Sequence, residues 1–166
     1  MSPWPSPRSL DGGIDEIPLP GTGRLLLAGK HAVAPDPDAA LARSGADVVV
    51  CLNEAHELER RYPDYLPWLE RHRPHRALWL PVPDLHAPTD DEARALVADL
   101  DARLDRGAGL LVHCGAGIGR AGTIAVLLLV GRGHSLDGAL DTLRAHRPMA
   151  GPEAGPQHEL VARLAP

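Results

Sequence analysis

The stretch Leu110-Leu-Val-His-Cys-Gly-Ala-Gly-Ile-Gly-Arg-Ala-Gly-Thr123 holds the residue types best suited to chemistry, a cysteine and an arginine with three glycines between them. An apolar run enters it, a glycine-rich turn follows, and helix-forming residues leave it. Glycines at 115, 117 and 119 let the backbone curl so that successive N–H groups point to one centre. The turn opens onto a helix N-terminus, where unpaired N–H groups and the helix dipole favour a dianion. Gly115, Ala116, Gly117, Ile118 and Gly119 thus outline a cup for a phosphate. Cys114 lies at its base, where the same field favours the thiolate, the nucleophilic form of a cysteine. Arg120 closes it with a planar fork that fits two phosphate oxygens.

Two other glycine-loop readings fail on context. Gly117-Ile-Gly-Arg-Ala-Gly122 has the spacing of a dinucleotide fingerprint, which requires a further strand and an acid about 20 positions on. Here the chain continues to Gly131-Arg-Gly-His134 and another amphipathic helix. No Lys-Ser or Lys-Thr follows the turn, so it is not a Walker loop.

The elements that must position this turn can be read on either side of it. Ile14–Leu19 and Arg24–Ala28 flank Gly21-Thr22-Gly23 as a hairpin. Asp36-Pro37 begins a helix that Gly45 ends. The continuous apolar run Asp47–Leu52 suits a strand buried on both faces. Residues 53–72 divide at Pro63 and Pro67 into short helical pieces, and Arg76–Leu80 is a strand. Thr89 and Glu92 form a capping box for a helix ending at Gly107. Leu110–His113 is a core strand. Helices follow from about Arg120 to Val130, from Ser135 to about His146, and after Pro156. Strands alternating with helices predict an α/β fold. Its central, mainly parallel twisted sheet should have about four or five strands flanked by helices, with the phosphate loop between a core strand and a helix. Residues 1–13, with three prolines and no periodicity, read as a flexible arm, and 14–166 as a single catalytic domain.

Composition narrows the function classes. The net charge of −5 provides no global basic field for nucleic acid or an acidic membrane, so any anion site must be local. The two cysteines, Cys51 and Cys114, match no zinc spacing and make a poor disulfide scaffold. The histidines show no ligand spacing, so no metal site is expected. The N-terminus lacks the pattern of a signal peptide, and Ile124–Val130 is too short to span a membrane. A reducing, cytoplasmic location is the expectation, with an unspecified oligomeric state.

HCGAGIGR at 113–120 resembles the HCxxGxxR signature of the protein tyrosine and dual-specificity phosphatases, and the resemblance extends over most of 14–164. It implies a two-step phosphate monoester hydrolysis through a phosphocysteine, without metal or organic cofactor. Such chemistry needs a proton for the leaving oxygen. Asp84, in Pro81-Val-Pro-Asp-Leu-His-Ala-Pro88, precedes Cys114 by 30 residues, a spacing similar to that of the family's general acid in small members. Asp90 and Asp91 belong to the first turn of a capped helix, where acids serve the dipole; His86 is a second proton donor to consider. By the same resemblance His113 helps fix the loop and the thiolate, Gln157 matches a water-positioning glutamine, and Arg147-Pro148 orders the loop beneath the site. One position departs from the pattern. Family members usually carry Ser or Thr directly after the arginine, and its hydroxyl stabilises the departing sulfur. Here Ala121 stands there, with Thr123 two residues on as a possible substitute donor.

The resemblance implies a phosphorylated protein, above all phosphotyrosine, as substrate, with a small phosphorylated metabolite second. Lysines typical of inositol-lipid phosphatases are absent, since Gly115 and Ile118 occupy those positions. A non-enzymatic phosphate-binding module and an arsenate-reductase-like redox protein are the other readings. The first is disfavoured by an intact Cys, Arg and Asp, the second by the lack of a well-placed further cysteine.

Overall fold

The computed structural model describes residues 12–165. The reading of 1–13 as an arm therefore falls almost wholly outside the described residues. Among the described residues five strands form one sheet: β1 (Ile14–Ile17), β2 (Arg24–Gly29), β3 (Val48–Cys51), β4 (Ala77–Trp79) and β5 (Gly109–Cys114), in the order β1-β2-β5-β3-β4. Only the β1–β2 pair is antiparallel, and β5 lies central between β2 and β3. The mainly parallel sheet expected from the sequence is thus observed.

The helices among the described residues are α1 (Lys30–Val33), α2 (Pro37–Ser44), α3 (Tyr65–His72), α4 (Asp90–Asp105), α5 (Gly119–Gly131), α6 (Leu136–His146) and α7 (Gly155–Leu164), with a 3-10 turn at Ala55–Glu57. Local chemistry explains most of their ends. Asp36 accepts from Ala39 N at the start of α2, and Gly45 closes that helix at φ 71°. Thr89 and Glu92 exchange both bonds of the predicted capping box. Ser135 caps α6 through Gly138 N. The four-residue α1 has no side-chain cap and escaped the sequence reading.

Strand alternation separates two cores. Leu25, Leu27, Val48, Val50, Leu110, Val112 and Cys114 face α4, α5, α6 and α7. Leu26, Ala28, Val49, Cys51 and Leu111 face α1, α2 and α3. Helix α5 is buried continuously from Gly119 to Leu129, which explains its uninterrupted apolar sequence. Its packing fixes the turn that precedes it. Gly122 touches the backbone of Gly151 so closely that a Cβ there would collide with Gly151 N. Among the described residues, no helix is long and apolar enough to cross a membrane.

Candidate active site

The chain leaves β5 at Cys114, turns through 115–118 and enters α5 at Gly119. The site therefore lies at the C-terminal end of the central parallel strand, where α/β sheets place their ligands. The outward carbonyls of the turn are pinned. Gly115 O accepts from Lys30 N at 3.0 Å. Ala116 O and Gly117 O each accept from Arg147 at 2.8 Å, and Ile118 O accepts from the N–H groups of Gly122 and Gly151. A trans peptide points its N–H opposite to its C=O, so pinning these carbonyls outward turns the following N–H groups inward. Gly117 has φ 71°, and a side chain there would strike the Ala28 carbonyl. The Ala121 N–H lies 3.5 Å from Cys114 Sγ, so the helix's first turn donates directly to the sulfur.

Arg147 braces the cup as the sequence suggested. It is fully buried, paired with the buried Asp15 at 2.8 Å, and bonded to Leu27 O as well as to the loop. One side chain thereby ties β1, β2 and the phosphate loop together.

Arg120 is buried and held by a residue the sequence reading missed. Its Nη1 and Nη2 donate to the two carboxylate oxygens of Glu57, each at 2.8 Å, and Nη1 also donates to Val82 O at 2.8 Å. Three of the five guanidinium N–H groups are so engaged, which leaves two for a phosphate. Burial pushes the Glu57 carboxyl up, but the hydrogen bonds from Arg120 and Glu54 N and the charge of Arg120 outweigh it and bring it to about 2. Asn53 also donates to Glu57, at 3.0 Å. The signal that could have found Glu57 is its place just past the C-terminal end of a core parallel strand, among the polar residues Asn53 and Glu54.

Asp84 comes to the same arginine. Its Oδ1 is 3.4 Å from Arg120 Nη2 and accepts from Leu85 N at 3.0 Å, while the side chain stays largely exposed. His86 Nδ1 instead turns back to the Asp84 carbonyl at 2.8 Å. Asp90 pairs with Arg163, and Asp91 is fully exposed beside Arg94. Of these acids, the structure brings only Asp84 to Arg120. Gln157 is fully buried; its Nε2 donates to His86 O at 3.1 Å and its Oε1 accepts from Glu153 N. It couples the loop of Asp84 to the start of α7.

Thr123 does not reach the sulfur. Its hydroxyl donates to Gly119 O at 2.6 Å, the back-bond a buried helical threonine makes when no other acceptor is near. The substitute-donor reading of Thr123 is corrected accordingly, and the protein contact to the sulfur at that end is the Ala121 N–H. Cys51 is also set apart. It pairs in register with His113 on the opposite face of the sheet from Cys114, and burial pushes its thiol up to about 12.

His113 lies fully buried beneath the cup, its Nε2 2.5 Å from the Tyr65 hydroxyl. Burial lowers it to about 4, since protonation would place a charge in the core, and Nδ1 has no partner among the described residues. A depressed histidine contributes stability that is complete above its unfolded value of 6.5 and is lost as pH falls from there to about 4. His113→Gln should therefore flatten the pH dependence of unfolding free energy across that window by close to one proton. Urea titrations at several pH values would measure it, and an unchanged slope would contradict the burial of a neutral ring. Glu57 acts in a separate window, between 4.5 and about 2.

Comparison with known proteins gives this geometry a family. Residues 24–154 match the model described as PTP-SAK, Swiss Army Knife protein, DSP-PTPase phosphatase domain. The fold is similar to that of Tk-PTP in its active form, with 29% identity and a TM-score of 0.69 over 90% of this chain and 95% of that one. A mutant form of Tk-PTP is 31% identical, with a TM-score of 0.70 over 86% and 90% of the two chains. Kinase associated phosphatase (KAP) shares the fold at 20% identity, with a TM-score of 0.74 over 92% and 96%. No curated protein matches the sequence. A glycine cup on β5, an arginine held over it and a family match across 24–154 agree, and the chain belongs to the dual-specificity branch of the cysteine-based protein tyrosine phosphatases.

Proposed function

We propose that Cys114 is the nucleophile, Arg120 and the N–H groups of 115–120 the phosphate site, and Asp84 the general acid, in one catalytic domain over 14–166. The observation that carries this reading is that Cys114 Sγ accepts from the Ala121 N–H while Arg120, held by Glu57, lies against the cup at Gly115. The Cys114 thiolate attacks phosphorus while the bond to the leaving oxygen breaks, and Asp84 passes its proton to that oxygen. Water then attacks the phosphocysteine, Asp84 takes a proton from it, and Cys114 leaves again as a thiolate. Glu57 and Val82 O fix the arginine so that its remaining N–H groups meet the equatorial oxygens without reorganisation. Phosphotyrosine in a peptide is the preferred substrate. The rim supports it, because Asp84 stands exposed on a loop that a protruding tyrosyl oxygen can reach.

Asp84→Asn tests the acid. Tyrosyl and alkyl oxygens need the proton, whereas a strongly acidic phenol leaves without it. The variant should lose on the order of 10²–10³ in rate on phosphotyrosine, much less on an activated aryl phosphate, and the decline in rate at high pH should disappear. Wild-type behaviour of Asp84→Asn on phosphotyrosine, with an inactive His86→Ala, would transfer the role to His86.

A further inference from the structure

The turn that carries Asp84 is held mostly by its own bonds. Asp84 Oδ1 accepts from Leu85 N at 3.0 Å, His86 N donates to Pro83 O at 3.0 Å, and His86 Nδ1 lies 2.8 Å from the Asp84 carbonyl. All of these contacts stay within residues 83–86. Leu85 is 52% exposed and has φ 64°, a conformation that leucine adopts at a cost. Such a turn persists only where its surroundings hold it. Among the described residues, the one backbone group of 84–87 bonded outside the turn is His86 O, which accepts from Gln157 Nε2 at 3.1 Å.

Gln157 is a firm anchor for that carbonyl. It stands near the start of α7, whose Leu160 and Val161 are buried in the core. Its Oε1 accepts from Glu153 N at 2.9 Å. Glu153 N can only donate and His86 O can only accept, so the two partners fix which end of the amide is which. Helix α7 grips the same segment again where the loop ends, through Arg163 and Asp90 at 2.9 Å. Gln157 is fully buried with both ends of its amide engaged, and it has no free end to offer a water over the cup. From this we infer that Gln157 is a positioning residue for the first step, holding His86 O and with it the turn of 83–86, so that Asp84 meets the leaving oxygen beside Arg120. The water-positioning role that the family resemblance implies for Gln157 does not fit this geometry. The inference rests on the reading of Asp84 as general acid and deepens it. No proton passes through Gln157; it acts only on where Asp84 stands. Placement matters because a shift of about 1 Å in a reacting group costs on the order of 10²-fold in rate.

The experiment measures kcat/KM on phosphotyrosine and on p-nitrophenyl phosphate for the wild type, Gln157→Met, Asp84→Asn and the variant carrying both changes. This constant covers the steps up to departure of the leaving group, so slow hydrolysis of the phosphocysteine does not mask it. Methionine keeps the length of the side chain and removes both hydrogen bonds. The tyrosyl oxygen needs the proton, and the acidic nitrophenol needs it far less. The ratio of the two constants, phosphotyrosine over p-nitrophenyl phosphate, should fall in Gln157→Met by about 10–100-fold. With Asp84→Asn already present, the same change should move the ratio by less than about twofold, because residues that act through one another are not additive. Gln157→Glu keeps an acceptor for Glu153 N but, when ionised, has no donor for His86 O. It should reproduce the loss, and it carries the test where the methionine variant does not fold. A ratio within about twofold of the wild type in the folded variants, or an equal loss with and without Asp84, would overturn the inference. A larger share of methyl phosphate among the products formed in aqueous methanol would also overturn it, by showing that Gln157 holds the attacking water. If Asp84→Asn alone leaves the ratio unchanged, the acid assignment fails and the inference with it.

Discussion

Cys114→Ser should reduce hydrolysis of p-nitrophenyl phosphate to the background of the assay, while phosphate analogues still bind. Serine places an oxygen where the sulfur stood and keeps the cup intact, because the N–H groups of the turn are aimed by carbonyl contacts to Lys30 and Arg147 rather than by the thiol. What disappears is the nucleophile. A helix N-terminus can hold a thiolate near neutral pH, whereas an alcohol has no neighbouring base here to activate it. His113 is unsuited to that task, since burial keeps it neutral to about pH 4 and its Nε2 is bonded to Tyr65. Full activity in the serine variant would remove the cysteine from the mechanism. The wild type should be indifferent to EDTA, as the steps assigned to Cys114, Arg120 and Asp84 call on no metal.

The second large effect is expected at Arg120. Lysine keeps the charge, yet Arg120→Lys should slow turnover by on the order of 10²–10³, the scale on which a preorganised oxyanion donor acts. The guanidinium bonds in several directions at once: to both Glu57 oxygens, to Val82 O and toward the cup. An ammonium offers three donors from one point and cannot reproduce the parallel fork. It would also leave Glu57 with weaker compensation in a site where its own burial already works against its charge. A loss of less than about fivefold would mean that the arginine does not face the reacting phosphate.

Much of the machinery was legible because it is local. The glycine cup is written in consecutive residues, the capping box of α4 spans four positions, and Asp84 sits past the edge strand β4 in a loop of prolines. The strand assignments followed from short apolar runs bounded by turn residues, and the sheet came out mainly parallel because helices separate most of those runs. What the sequence hid depends on distant pairings. Glu57 reaches Arg120 across 63 positions, and Tyr65 reaches His113 across 48. Neither residue type nor spacing encodes such contacts; the pairing of β3 with β5 and the packing of α3 on the sheet create them. Thr123 was misjudged for the opposite reason. On an exposed turn its hydroxyl would be free to serve the sulfur, but α5 is buried all round and the hydroxyl settles on the nearest carbonyl. Helix α1 was overlooked because four residues without a cap leave no periodic trace.

Ala121 sets up the decisive measurement. Its backbone N–H reaches Cys114 Sγ, but the residue has no hydroxyl, and Thr123 supplies none. A hydrogen bond to a charged group contributes about 1.5–3 kcal/mol, or roughly one to two decades in rate. Expulsion of the thiolate from the phosphocysteine should then be the slow step. Rapid acid quench of the enzyme during turnover of a radiolabelled aryl phosphate, followed by peptide mapping, shows whether Cys114 carries the phosphoryl group. The expected result is a burst of released phenol close to one equivalent of enzyme, with the labelled phosphoryl group on Cys114, and faster steady-state turnover in Ala121→Ser at an unchanged burst rate. Steady release of phenol with no label on Cys114 at any time would contradict it.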